Sequence, residues 1–296
     1  MALDTIVSVL NGLRGDDATA RINRRNITQS ALVQSAIYRI KPAVEATEFT
    51  QRYLYPGNLT AHVTAGGENK TVASGVLSGG YYQLLPISLI VPLDNRLTRS
   101  GTSVQDMVQS SLAKALGEGI DREILRNSDG KFVSGLVAAA VTAGNVVNAA
   151  SATAITYAEM NSLVGYVNSG TGEADGVIVR AGSLPAIRAS ETTGGSRYFV
   201  DASTDRPAQI FGARAEVVSG RVLPTTATTA EAMAIAGDFN YLDWAVTGDV
   251  EIKLSEDASV TGFNAFEQNL VLVRAELWFG FAILDNSAFA VMKEPG

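Results

Sequence analysis

The chain has 296 residues, 46% of them hydrophobic, with no cysteine and a single histidine, His62. That supplies enough apolar residue for a sizeable core or two. Disulfides and thiolate metal sites are excluded, and most zinc and triad chemistries, which need more than one imidazole, lack their ligands. A net charge of −7 and a pI near 4.9 argue against a broad basic face that grips nucleic acid. Residues 1–60 hold seven Arg/Lys against five Asp/Glu, so the acidic surplus lies in the remainder. The start, MALDTIVSVLNGLRG, has no basic segment followed by an apolar run; no signal peptide and a cytoplasmic product are expected.

Residues 1–48 hold too few large apolar side chains to form a core of their own. Within them Ile27–Ile40 sets Ile27, Ala31, Ile37 and Ile40 near one helical side, predicting a short amphipathic helix in an otherwise extended arm. From Phe49 to Tyr82 the pattern is β. Leu59, Ala61 and Val63 alternate with Thr60, His62 and Thr64, the glycine-rich Ala65–Lys70 follows, and Val72 and Val76–Leu77 resume. This predicts a long hairpin. A hairpin with no third strand is marginal in water, so it is expected to lie on another molecule's surface. His62 then reads as a solvent-facing or interfacial strand residue rather than a ligand.

Gly79–Asn95 (GGYYQLLPISLIVPLDN) reads as a strand that Pro86 and Pro92 confine to edge or bulge positions. Thr102 with Gln105 makes a capping-box signature. Val104, Met107, Val108, Leu112, Ala115, Leu116, Ile120, Ile124 and Leu125 recur as one helical stripe, predicting a helix over about 103–127 that Ser128–Gly130 stops. Such a helix spans roughly 37 Å. Gly117 and Gly119 weaken it by roughly 1 kcal/mol each and allow a bend.

Residues 132–249 read as one α/β layer. Thr156 and Glu159 cap a helix, Gly176–Arg180 is a buried strand, Ser183–Ala189 a short helix, and Gly194–Pro207 a surface loop. Ile210–Val222 supplies strands, and Trp244–Val246 with Val250–Leu254 is expected to form a hairpin. Leu270–Leu284 (LVLVRAELWFGFAIL) is apolar except for Arg274 and Glu276, and reads as a strand with most of both faces buried. It is too interrupted for a membrane span, and Gly79–Asn95 is its expected partner. Arg274 and Glu276 alternate on one face, either as an internal ion pair or as a contact between copies of the chain.

GxxxxGK[ST], GxSxG and HExxH are all absent. Asp16–Asp17 and Glu256–Asp257 sit in polar turns, and Glu191, Asp201 and Asp205 in a polar loop, where solvated charge is the expected role. No catalytic, cofactor or metal site is expected.

The succession of Ala208–Pro224 (AQIFGARAEVVSGRVLP), Gly237–Ala258 (GDFNYLDWAVTGDVEIKLSEDA) and Phe266–Lys293 (FEQNLVLVRAELWFGFAILDNSAFAVMK) resembles the C-terminal half of a tailed-bacteriophage major capsid protein. That fold is shared with encapsulin nanocompartments and the floor of herpesvirus capsids. The upstream half fits more loosely, as an arm, a hairpin, a "VP" strand and a long helix. The resemblance thus covers most of the chain and rests on the order of motifs. It implies an α+β phage major capsid fold: an N-terminal arm at 1–48, an extended hairpin loop at 49–82, a peripheral lobe from 83–131 and 250–296 with the long spine helix and C-terminal strand, and an axial α/β lobe at 132–249. It implies a structural protein, not an enzyme. Copies would form hexamers and pentamers of an icosahedral shell enclosing double-stranded DNA without sequence-specific binding, assembled in a bacterial cytoplasm and retained in the virion. Portal, scaffolding and cement proteins would be further partners. The hairpin comes too early for the family's internal scaffold propeptide, so either the sequence is the mature form or scaffolding comes from a separate protein.

Some members crosslink their shells by an isopeptide bond between a loop lysine and an asparagine, assisted by a glutamate. Lys70, Asn269 and Glu276 resemble that set, while each is also ordinary in its place. The alternatives are an encapsulin-type compartment, against which the extended arm argues, and a soluble α/β enzyme or binding module, against which the missing His/Cys chemistry argues.

Overall fold

The computed structural model describes residues 19–22, 35–46, 48–55, 78–98, 102–190, 208–224, 231–247, 250–260 and 262–295. The first sheet is built around β15 (Leu270–Ile283). On one edge β5 (Leu85–Asp94) pairs with it antiparallel, from Leu270↔Asp94 to Phe279↔Leu85, the partner expected from the sequence. The ladder runs unbroken through Pro86 and Pro92. These two prolines share the parity of Ser88 and Ile90, so their missing N–H groups fall on the outer edge of β5.

On the other edge, β11 (Leu242–Thr247) pairs with the end of β15 and β12 (Val250–Ser255) with its beginning, both antiparallel. Phe279 faces both Leu85 and Val246, and Leu272 faces both Pro92 and Ser255, so β11 and β12 occupy the same edge. They are collinear, and the hairpin expected between them does not form. Val246 faces Phe279 and Glu251 faces Glu276, so the register differs by two residues between the two strands. The physical reason is the length of β15, which offers both segments a continuous edge. Outside them lie β1 (Thr19–Ile22), antiparallel to β12, and β2 (Val44–Ala46), parallel to β11. A short hairpin of β13 (Ser259–Val260) and β14 (Phe263–Asn264) leads into β15.

The buried face of this sheet follows from strand alternation. Val273, Ala275, Leu277, Phe279 and Phe281 of β15, with Ile87, Leu89, Val91 and Leu93 of β5, pack with Leu112, Leu116, Ile120 and Ile124 of the long helix Thr102–Arg126. Each such aliphatic side chain contributes about 1.5–3 kcal/mol when fully buried. The helix is unbroken through Gly117 and Gly119. Gly119 is a close-approach position, since a Cβ there would lie 2.5 Å from Ile87 Cδ1. The opposite face of β15 is only half-buried at Arg274, Glu276 and Trp278, so burial of both faces, expected from the sequence, is incomplete.

The second sheet has the order β6 (Val146–Asn148), β16 (Phe289–Lys293), β10 (Ala232–Gly237), β7 (Gly176–Arg180), β9 (Ala213–Val218) and β8 (Gln209–Ile210). Ile178, Ile235, Phe289 and Val291 join the core shared with the long helix and the first sheet. Val177, Val179, Ala236 and Met292 join a second core with Met160, Leu163 and Val167 of the helix Tyr157–Ser169. Cover on both faces explains the uninterrupted apolar runs of β7 and β16. Sheet membership crosses the boundary expected at residue 249: β11 lies in the first sheet and β16 in the second.

The third β unit is a ribbon of β3 (Thr50–Tyr55) and β4 (Ser78–Gln83), antiparallel from Thr50↔Gln83 to Tyr55↔Ser78. Its base is closed by the Leu84 N–H donating to Phe49 O at 2.8 Å. Residues 56–77, with His62 and Lys70, lie outside the described residues. The ribbon base crosses β15 at Gly280, where a Cβ would sit 2.5 Å from Gln83 O. A backbone atom cannot yield as a side-chain tip does, so Gly280→Ala is expected to destabilise the fold by about 1–3 kcal/mol. A thermal melt within error of wild type would show that the ribbon base is not packed there.

Candidate assembly surfaces

The first feature is an anchor that the sequence did not reveal. Asp121 lies in the middle of the long helix and is buried. Its Oδ1 accepts from the Ser35 hydroxyl at 2.5 Å and the Ile37 N–H at 3.4 Å, and its Oδ2 from the Ala36 N–H at 3.1 Å. One carboxyl group therefore serves the first N–H groups of the short helix Ala36–Ile40, which no intrahelical carbonyl reaches. Ser35 caps that helix in turn, accepting from the Tyr38 N–H at 3.2 Å. Arg39 pairs with Glu216 at 2.8 Å, and the Trp244 indole N–H donates to Lys41 O at 2.8 Å. Ala36 and Ile37 enter the main core.

The arm expected at 1–48 is thus corrected in its last part: Ser35–Ala46 lies against this chain's own body, with Ala36 and Ile37 in the main core and β2 paired to β11. The helix expected at Ile27–Ile40 is seen as Ala36–Ile40, and residues 27–34 lie outside the described residues. The signal for Asp121 was available. It falls between Ile120 and Ile124–Leu125, and lies four residues before Leu125, so the helical stripe turns it inward.

Burial pushes the Asp121 carboxyl up to about 7, against the pull of its hydrogen bonds from Ser35, Ile37 and Ala36. The folded chain then keeps a proton that the unfolded chain loses near 3.8. Acid pH favours the folded state, and that advantage is lost as pH rises through the interval. In melts taken across pH 5–8, wild type is expected to lose stability relative to Asp121→Asn as pH rises. A difference independent of pH would show that Asp121 titrates at its ordinary value.

The second feature is the outer face of the ribbon. Tyr81 is 68% exposed and Leu54 57% exposed, and the Arg52 guanidinium lies 5.8 Å from the Tyr81 ring centroid. On the opposite face the Tyr53 and Tyr82 rings stack at 6.3 Å and Tyr55 meets Tyr241 at 5.6 Å, while the exposed Phe49 meets Trp278 at 4.7 Å. Among the described residues the ribbon has no third strand.

The third feature is the set of residues that resemble a crosslink. Asn269 ends the turn Ala265–Gln268 in a left-handed conformation, φ 51°. Its side-chain oxygen accepts from the Asn95 amide at 3.2 Å. Glu276 pairs with Arg274 of its own strand at 3.6 Å. Glu276 lies six steps of extended strand beyond Leu270, roughly 20 Å from Asn269's end of β15, so only different copies could bring the two together with Lys70. Since both residues already have local partners, a denaturing gel of assembled particles is expected to show a single 31 kDa band. Covalent multimers that vanish in Asn269→Ala would establish the bond instead.

Asp16, Asp17, Glu191, Asp201 and Asp205 lie outside the described residues. Among the described residues, no group of three or more His, Cys, Asp or Glu could hold a metal ion, and no helix is long and apolar enough to cross a membrane.

The chain is thus a double core that carries a two-stranded ribbon with Leu54 and Tyr81 exposed. The family is given by the sequence: the profile of the phage capsid family matches residues 82–294, and the chain belongs to that family. It is a structural capsid protein with the α+β fold of that family. A solved structure from Microbacterium phage Oxtober96 is 20% identical, with a TM-score of 0.69, covering 88% of this chain and 91% of that one. One from Mycobacterium phage Adephagia is 15% identical, with a TM-score of 0.70, over 94% and 99%. The capsid of an empty GTA particle is 14% identical, with a TM-score of 0.64, over 89% and 90%. At these identities the structures speak to the fold alone. No curated protein sequence is significantly similar to the chain.

Proposed function

We propose that copies of this chain form the hexamers and pentamers of a closed icosahedral shell that encloses double-stranded DNA. The observation that carries this reading is the ribbon of β3 and β4, which stands on the core as two strands and leaves Tyr81 and Leu54 exposed. A two-stranded ribbon is marginal alone, and a neighbouring copy supplies the missing cover in every subunit when the assembly is closed by symmetry. Membership of the phage capsid family supports the same reading. The long helix with the first sheet forms the peripheral lobe, and the second sheet with its helices forms the axial lobe. The net charge of −7 suits a container that must not hold phosphates tightly. Assembly takes place in the cytoplasm of a bacterial host, with scaffolding, portal and cement proteins as partners.

Negative-stain microscopy of the purified protein is expected to show closed particles of uniform size. Nuclease-resistant nucleic acid inside them, read from the 260/280 nm ratio when the protein comes from infected cells, is expected as well. A folded protein that stays monomeric at assembly concentrations overturns the reading, and particles filled with protein cargo turn it to an encapsulin-type shell.

A further inference from the structure

The short helix Ala36–Ile40 is held differently at its two ends. Its second half is tied by the Arg39–Glu216 pair at 2.8 Å, by Arg214 donating to Arg39 O at 2.5 Å, and by the Trp244 indole donating to Lys41 O at 2.8 Å. Its first half converges on a single group. The Ser35 hydroxyl and the Ala36 and Ile37 N–H groups all donate to the Asp121 carboxyl. Of the five helical residues only Ala36 and Ile37 are buried, and a helix this short does not persist without tertiary support.

The three donors decide what a proton does at Asp121. A carboxylate accepts from all three. A carboxylic acid has one oxygen that must donate, and of the three only the Ser35 hydroxyl can turn to accept. Both forms can therefore be bonded, and charge is the difference between them. Asp121 lines a cavity of about 460 Å³, which gives water and protons a way to it. The charged groups facing that cavity are Lys114 and Glu118 on the long helix and Arg39 on the short one, while the wall beyond β9 presents Val217, Val218 and Ser219. Arg39 is occupied by Glu216, and Glu118 lies 3.8 Å from Arg221. Burial raises the Asp121 carboxyl against the pull of its hydrogen bonds, and the negative Glu118 adds to the rise.

We propose that Ser35–Tyr38 is a proton-controlled latch, closed while Asp121 is neutral and swinging out about Arg39–Lys41, ahead of any unfolding of the two cores, when Asp121 ionises. Opening gives the carboxylate the water that the docked pose denies it. The ties at Arg39 and Lys41 remain and act as the hinge. The closed latch holds its proton up to about 7, the open one only to the ordinary 3.8. Acid pH thus favours closure, and the advantage is lost as pH rises toward 7. The latch moves the end of the docked segment between Ser35 and Arg39 inside a single copy, and it does not depend on the shell reading above.

The test is amide hydrogen exchange of the full chain at pH 6 and pH 8, corrected for the intrinsic pH dependence of exchange and read by mass spectrometry. Ser35–Lys41 is expected to open locally, with less protection than β7 and β10 at both values. That opening is expected to be about tenfold more populated at pH 8 than at pH 6. Asp121→Asn is expected to open locally with no such change. Glu118→Gln is expected to show less than the wild-type change, because without that charge Asp121 ionises at lower pH. This second variant carries the test if Asp121→Asn does not fold. Protection of Ser35–Lys41 equal to that of β7 and β10 overturns the latch, since the helix then leaves only with the whole fold. Wild-type opening that is the same at both pH values overturns its control by Asp121, and so does a tenfold change that persists in Asp121→Asn.

Discussion

The fold depends on β15 having two long edges and two faces to satisfy at once. Its backbone groups are met by β5 on one side and by the collinear β11 and β12 on the other. Unpaired and buried, those groups would be costly. Because the long helix covers one face only, the chain settles an asymmetric sheet: aliphatic on the side of Ile120 and Ile124, charged on the side of Arg274 and Glu276. The second sheet is reached through the same core, since Ile178, Ile235 and Phe289 pack in one cluster with residues of the first sheet.

Much of this was legible in the sequence, for identifiable reasons. The helical stripe from Leu112 to Leu125 and the β-rich run at Leu270–Ile283 are long and strongly periodic. Pro86 and Pro92 stated in advance that β5 would have one free edge. The collinearity of β11 and β12 was not legible. Trp244–Val246 and Val250–Leu254 read locally as two arms of a hairpin, and only the length of the distant partner strand lays both along one edge. Tertiary context overrode the local signal.

The parts that bear on assembly were legible in a different measure. That a two-stranded ribbon stands on the core follows from the alternating pattern on either side of its loop. Which part of the arm stays at home does not, because it depends on Asp121, an acidic residue on a helix whose other charges read as solvated. Arg274 and Glu276 were visible as a pair on one face. That Glu251 and Lys253 fall opposite them in register was not visible, since cross-strand neighbours are set by pairing and not by spacing along one segment.

The positions of β15 and β16 have a temporal side. Each is translated after every strand it pairs with, β5, β11 and β12 in one case and β6 and β10 in the other. Neither sheet can close while the ribosome is still making the earlier segments, and pairings of such long sequence separation form slowly. The topology itself defers both finished sheets to the last strands made.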